Sequence, residues 1–203
     1  MKIYFLIKIY SNKTTSSESL STKIQKSIVN WNSFNSERSR IRNFLYNEFA
    51  NLPDLERDKK LQETFEWASN YLRQRDDNKR FIALLVLSFL IEIDDDQNRL
   101  YQLSLILDKL LPLESTPLLK GVAYLYKRLS ELITDHPILT RIIDRCIDFL
   151  SNRSTNSATQ SAIIILLKVK PKTKLYELAN VLWTAIKYPN IKIKKKAVSL
   201  YLF

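Results

Sequence analysis

Four stretches of the chain share one pattern, in which a polar turn, often with Lys or Arg, is followed by an apolar run that carries an alanine. They read DDNKRFIALLVL, STPLLKGVAYLY, STNSATQSAIII and YPNIKIKKKAVSLY, and their alanines are Ala83, Ala123, Ala162 and Ala197. Consecutive alanines are separated by 40, 39 and 35 residues. A period near 40 is typical of stacked pairs of helices, so we expect an array of similar helical units.

The segments between these stretches also have helical periodicity. In the segment 54–73 charged residues occupy one face, and the opposite face holds Leu61, Phe65, Ala68 and Leu72. No alternating strand pattern of useful length occurs. We predict an all-α protein, a HEAT/armadillo-type α-solenoid of about four to five helix pairs over residues 23–203. The segment around Ile41 is a candidate for a fifth unit, although it lacks the alanine.

The longest apolar run extends from Phe81 to Ile91 and contains one polar residue, Ser88. At about 1.5 Å per residue a helix of this length covers roughly 16 Å, about half of a membrane's hydrocarbon core. We therefore predict no transmembrane segment here. A helix that is apolar on all sides must be covered by protein, so we predict an inner helix enclosed by its partner and by the repeats on both sides.

Glycine is almost absent, since Gly121 is the only one, whereas an average content near 7% would give about fourteen. The phosphate-binding loops of P-loop NTPases, dinucleotide-binding folds and kinases each need several glycines, where backbone approaches phosphate closely. None of these loops can be built from one glycine. We predict no catalytic activity, no cofactor and no small-molecule substrate for this chain.

Histidine and cysteine are equally scarce. His136 and Cys146 occur once each, which excludes an intramolecular disulfide and argues against a zinc site or a Ser/His/Asp hydrolase. Cys146 falls on the apolar side of its segment with Ile142, Ile143 and Ile147, so we predict a buried core residue. His136 is interpreted as an exposed residue at the start of a helix.

The two ends of the chain differ from the middle. Residues 1–22 are interpreted as a leader with a flexible Ser/Thr-rich segment, and Lys8 interrupts the apolar run that would make it a signal peptide. The sequence ends at AVSLYLF, inside what we predict to be an inner helix. We therefore expect the solenoid to be truncated at its C-terminus.

The chain is basic, with 32 Lys and Arg against 21 Asp and Glu and a net charge of +11. A candidate basic contact patch is formed by Lys192, Lys195 and Lys196, which share one face of the last helix. Such a patch suits a nucleic acid or another polyanion. Aromatic residues do not interleave with these lysines, so we favour an ordinary solvated face, and nucleic acid is not the favoured partner.

Three segments resemble the first HEAT repeats of the target-of-rapamycin (TOR) protein kinases. They read FANLPDLERDKKLQETFEWASNYLRQRDDNKRFIALLVLSFLIEID, LYQLSLILDKLLPLESTPLLKGVAYLYKRLSELI and RCIDFLSNRSTNSATQSAIIILLKV. The shared features are the order of elements, the LLP turn and the polar turn that enters SAIIILLKV. The resemblance extends from about Trp31 to the C-terminus.

The resemblance implies a protein-interaction scaffold that serves TOR-complex assembly and nutrient or growth signalling, with Raptor-type or Rictor-type subunits as partners. It implies a cytoplasmic location, with endomembranes or the nucleus as alternatives for the assembled complex. TOR kinases carry catalytic HRD and DFG motifs, but Pro137 follows His136 and Lys120 precedes Gly121, so no catalytic residue transfers. Two alternatives stay open, a basic helical-repeat module that binds a polyanion and a transport-type HEAT protein.

Overall fold

The computed structural model describes residues 19–94, 96–133, 136–151, 155–187 and 191–201. These residues form helices and connecting turns without a strand, which confirms the predicted all-α class. Residues 1–18, most of the predicted leader, lie outside the described part of the chain. In chain order the helices are α1 (Leu20–Ser27), α2 (Phe34–Ala50), α3 (Asp54–Arg73), α4 (Asp77–Ile93), α5 (Gln97–Leu110), α6 (Thr116–Leu132), α7 (His136–Ser151), α8 (Asn156–Val169), α9 (Leu175–Ile186) and α10 (Ile191–Tyr201).

The helices pack in two layers. The even-numbered helices contact one another in chain order, so that α2 packs on α4, α4 on α6, α6 on α8 and α8 on α10. The odd-numbered helices α3, α5, α7 and α9 also contact one another in order, and α3 packs on α4, α7 on α8 and α9 on α10 across the layers. The fold is therefore an α-solenoid-like stack of helix pairs. We call α2, α4, α6, α8 and α10 the even-helix layer.

Helix α4 contains the long apolar run, and every residue from Phe81 to Ile91 is buried. Helices α2, α3 and α6 all pack against it. The one polar residue in the run, Ser88, donates its hydroxyl hydrogen to the carbonyl oxygen of Leu85 at 2.7 Å, so its burial leaves no donor unpaired. The prediction of an inner helix covered by its partner and by neighbouring repeats is confirmed.

Small residues lie where helices of the even-helix layer approach one another. The four repeat alanines are buried, with at most 2% of any of them exposed: Ala83, Ala123, Ala162 and Ala197. Gly121 allows the closest approach. A Cβ at this position would lie 2.9 Å from Cε2 of Phe34 in α2 and 3.0 Å from Cδ1 of Leu84 in α4. The only glycine of the chain is therefore needed for packing of α6 on α2 and α4.

Side-chain caps define where inner helices begin. The carboxylate of Asp76 accepts a hydrogen bond from the backbone N–H of Lys79 at 3.0 Å, at the start of α4. The hydroxyl of Thr155 accepts one from the backbone N–H of Ala158 at 3.4 Å, at the start of α8. Each cap satisfies an N–H group that has no partner within the helix. The polar turns before Ala83 and Ala162 thus cap their helices, whereas Ser115 before α6 makes no side-chain cap.

Candidate interaction surface

A polar cluster lies on the even-helix layer and takes residues from three successive helix pairs. Helix α2 supplies Arg38 and Arg42, α4 supplies Glu92, and α6 supplies Tyr124 and Arg128. Within α2 and within α6 the two residues are four apart, so they lie on the same helical face. We call these five residues the Arg38–Glu92 cluster.

Glu92 is the centre of the cluster. Nη1 of Arg38 donates to Oε1 of Glu92 and to the hydroxyl oxygen of Tyr124, both at 2.9 Å. The Tyr124 hydroxyl donates to the same Oε1 at 2.8 Å, and Nε of Arg42 donates to Oε2 at 2.6 Å. The guanidinium carbon of Arg38 also lies 4.4 Å from the centroid of the Tyr124 ring, within cation–π range. These contacts connect α2, α4 and α6.

The environment fixes the protonation states of the cluster. Burial has the largest single effect and raises the pKa of Glu92, but the hydrogen bonds from Arg42 and Tyr124 together with the charges of Arg42 and Arg38 outweigh it, and the pKa of Glu92 is lowered. Burial and the hydrogen bond to Glu92 both raise the pKa of the Tyr124 phenol. Glu92 is therefore a carboxylate and Tyr124 a neutral hydroxyl at neutral pH.

The cluster borders an open pocket of about 350 Å³. Arg128 at its edge pairs with Glu131 at 2.6 Å, and Lys127 pairs with the other oxygen of Glu131 at 3.2 Å. The pocket is lined by Arg38, Ser39, Arg42, Asn43, Glu92, Tyr124 and Arg128. Its lining consists of hydrogen-bonding groups, which suits a charged or polar ligand better than an apolar one.

A second polar cluster is partly buried and connects α5, α6 and α7. The Tyr126 hydroxyl donates to Oδ1 of Asp108 at 2.6 Å, and Nε of Arg141 lies 2.7 Å from Oδ2 of the same carboxylate. Cys146 lies close by and is 1% exposed, which confirms the prediction of a buried core thiol. Burial first, and then the charge of Asp108, raises the pKa of Cys146 to about 12. A thiol in this state is not a nucleophile at neutral pH.

An apolar groove of about 390 Å³ lies between α8, α9 and α10. The turn that enters it contains two lysines with left-handed backbone, Lys170 (φ 51°) and Lys174 (φ 56°). The groove is lined by Leu166, Leu167, Lys170, Pro171, Lys172, Leu175, Leu178, Ala179, Leu182 and Leu200. Its apolar lining contrasts with the charged lining of the Arg38–Glu92 cluster.

The structure describes the side chains of some of the predicted site residues and not of others. The side chain of Lys195 is exposed on α10, whereas the side chains of Lys192 and Lys196 lie outside what the structure describes, so the basic patch stays a prediction. His136 begins α7, and its side chain is likewise outside the described set. Among the described residues, no group of three or more His, Cys, Asp or Glu side chains could hold a metal ion.

Sequence reasoning missed the Arg38–Glu92 cluster. Its members are distant along the chain, since Glu92 is 54 residues and Tyr124 is 86 residues from Arg38. A usable signal did exist, because pairs of polar residues four apart lie beside the buried stripe of α2 and again on α6. The signal predicts a polar face on each helix, but not which faces meet.

Comparison with protein-family models, with curated proteins and with solved structures found no match to this chain. In the described ranges, none of the helices combines the length and the apolar character needed to cross a membrane.

Proposed function

We propose that the chain is a HEAT-type helical-repeat scaffold that binds other proteins along its even-helix layer and performs no chemistry itself. The observation that carries this proposal is the packing of α2, α4, α6, α8 and α10 in chain order, with a buried alanine in each of the last four. Such a layer presents side chains from successive repeats on one extended surface, as the Arg38–Glu92 cluster does. Extended surfaces of this kind suit protein partners.

The finer proposal concerns the partner. We propose that the chain acts as an N-terminal arm of a TOR-type kinase in the cytoplasm and holds a Raptor-type or Rictor-type subunit. Its support is the resemblance of the three sequence segments quoted above. The apolar inner helix α4 and the near-40-residue period are compatible with such an arm, and they are equally compatible with HEAT proteins of other pathways.

Binding of a purified Raptor-type subunit to the chain, measured near physiological salt, tests the scaffold. We expect the subunit to bind, and we expect Tyr46→Ala to weaken binding because Tyr46 is 61% exposed on α2, one turn beyond Arg42. The matched control is Tyr176→Ala, which removes a tyrosine that is 79% exposed on α9 in the other layer. Equal losses from the two changes would contradict use of the even-helix layer.

The polyanion alternative is tested in the same experiment with a DNA duplex. Non-specific phosphate contacts lose affinity steeply as salt rises from about 50 to 200 mM, so a solvated lysine face gives only weak, salt-sensitive binding. We expect the triple change of Lys192, Lys195 and Lys196 to Ser to lower this background and to leave subunit binding unchanged. The scaffold hypothesis would be wrong, and the polyanion hypothesis favoured, if two results came together. The chain would bind the duplex at submicromolar concentration and lose this binding in the triple variant, and it would show no detectable binding to the subunit.

A further inference from the structure

The Arg38–Glu92 cluster contains more hydrogen-bond donors than acceptors. A guanidinium has five N–H groups and no acceptor, and a carboxylate has only acceptors. Both oxygens of Glu92 are already used, since Oε1 accepts from Arg38 and Tyr124 and Oε2 accepts from Arg42. Arg42 uses only its Nε in these bonds and its side chain is 55% exposed. The terminal N–H groups of Arg42 are therefore available to a ligand.

The other two arginines have spare donors as well. The Nε atoms of Arg38 and Arg128 have no hydrogen-bond partner among the described atoms, and because they are buried they add to the excess of donors without contacting a ligand directly. The charges show the same excess: within the described part of the chain, the four cations Arg38, Arg42, Lys127 and Arg128 pair with two carboxylates, those of Glu92 and Glu131. A ligand that complements this pocket must be an acceptor and must carry negative charge.

We propose that the pocket of the Arg38–Glu92 cluster binds one acidic side chain of a partner protein, a carboxylate or a phosphorylated hydroxyl group. This inference rests on the proposed scaffold function and names the chemistry of its contact. Planar guanidinium groups bind carboxylate and phosphate oxygens in pairs, which makes arginine the suitable residue for this task. Glu92 holds Arg38 and Arg42 in place before the ligand arrives.

A protein ligand fits the surroundings better than a nucleic acid. Glu92 places a fixed negative charge within the pocket, which opposes a continuous chain of phosphates but not a single acidic group beside the guanidinium groups. On α2, the exposed ring of Tyr46 lies one turn beyond Arg42 and offers an apolar contact to the rest of a peptide. The charged pocket and the ring of Tyr46 on the same helix as Arg42 together form a compact anchor.

Fluorescence anisotropy with synthetic peptides tests the anchor on the full chain. One labelled peptide has a short run of glutamates in a glycine–serine background, a second has a single phosphoserine, and a third has glutamines in place of the glutamates. We expect at least one of the two acidic peptides to bind while the glutamine peptide does not. Which acidic peptide binds more tightly distinguishes a carboxylate from a phosphate. Binding of all three with equal affinity would overturn the proposal.

Two matched variants then locate the contact. Arg42→Gln is expected to weaken binding of the acidic peptide about tenfold, because a hydrogen bond to a charged group is lost. Arg75→Gln removes the same charge from an exposed position in the turn between α3 and α4 and is expected to leave binding unchanged. Circular dichroism and the melting temperature establish that both variants are folded. Equal weakening in the two variants would show a general charge effect and overturn the proposal, as would tighter binding of a DNA duplex than of either acidic peptide.

The outcomes separate this anchor from the scaffold function. If the subunit binds the wild-type chain and the Arg42→Gln variant equally well, the anchor is wrong and the scaffold stands. If the acidic peptide binds through Arg42 but no Raptor-type subunit binds, the anchor stands and the TOR assignment is wrong.

Discussion

Helices α4 and α9 belong to the same stack of helix pairs, yet they are buried to very different extents. In α4, eleven consecutive residues are buried. In α9 the buried residues are Leu178, Leu182 and Ala185, while Tyr176 and Trp183 are 79% and 53% exposed. Because apolar burial dominates folding stability, the difference indicates that α4, in the even-helix layer, is locally more stable than α9, in the other layer.

Polar contacts reinforce the difference. In the N-terminal part, Arg38 and Glu92 connect α2 to α4, and Arg99 connects the carboxylate of Asp94 at the end of α4 to Gln62 in α3. At the C-terminal end, Lys174 before α9 pairs with Asp144 of α7, and helices α8, α9 and α10 surround an apolar groove. We therefore expect amide hydrogen exchange to be slowest in α4 and faster in α9.

The largest expected effect comes from matched truncations in the two regions. Leu84→Ala in α4 should lower the free energy of unfolding by about 2 to 5 kcal/mol, because Leu84 is fully buried in a helix that packs against α2, α3 and α6. Leu182→Ala in α9 should cost less, since Leu182 already borders the open groove. Urea unfolding followed by circular dichroism measures both. Equal losses would remove the contrast between the two regions.

Enlarging the repeat alanines should have the next largest effect. Ala83→Leu is expected to lower the free energy of unfolding by about 1 to 3 kcal/mol through overpacking in α4. Ala162→Leu should lie at the lower end of this range, because α8 borders the groove and has space to shift. The control is Ala50→Leu at the exposed end of α2, where no loss is expected. If the Ala83→Leu variant melted at the same temperature as the wild type, the alanines would not be closely packed.

Acidic pH should weaken the N-terminal region in particular. Because the pKa of Glu92 is lowered in the folded protein, its stabilising contribution is present above the unfolded value near 4.3 and is lost as the pH falls through the folded value. Solvent screening limits this contribution to about 1 kcal/mol or less. We expect the wild type to lose more stability than Glu92→Gln between about pH 5 and pH 3. The free energy of unfolding is measured in urea at each pH for both proteins. If it fell by the same amount in both, Glu92 would contribute nothing to stability.

The smallest expected effect is a gain in folding stability from a change at the C-terminal end of α8. Lys170 follows α8 with a left-handed backbone, a position that glycine occupies at lower cost. Lys170→Gly should raise the free energy of unfolding by about 0.5 kcal/mol. Lys168→Gly, two residues earlier within α8, should lower it by about the same amount or more. A loss of stability in Lys170→Gly would contradict the left-handed conformation.

The all-α class, the buried alanines and the enclosed α4 follow from spacing along the chain. These features depend on periodicity within about 40 residues, which a sequence displays directly. Cys146 was also predictable, because its neighbours define an apolar face.

The Arg38–Glu92 cluster and the apolar groove could not be predicted in the same way. Both depend on how each helix is rotated against the next, and this rotation is decided by tight contacts such as those of Gly121 with Phe34 and Leu84. A periodic pattern predicts which face of a helix is buried, but it does not predict which residues of neighbouring repeats are in contact.

Because Cys146 is buried, its reaction with a dye can be used to measure how often the folded protein opens locally. With one cysteine in the sequence, and that thiol enclosed and protonated, a thiol-reactive dye added at neutral pH can label the native protein only after α7 separates from the helices that cover it. The labelling rate, compared with that of the urea-unfolded chain, therefore measures the free energy of this separation. A cysteine engineered on the surface would react first, which allows a dye to be attached at a chosen repeat without replacing Cys146.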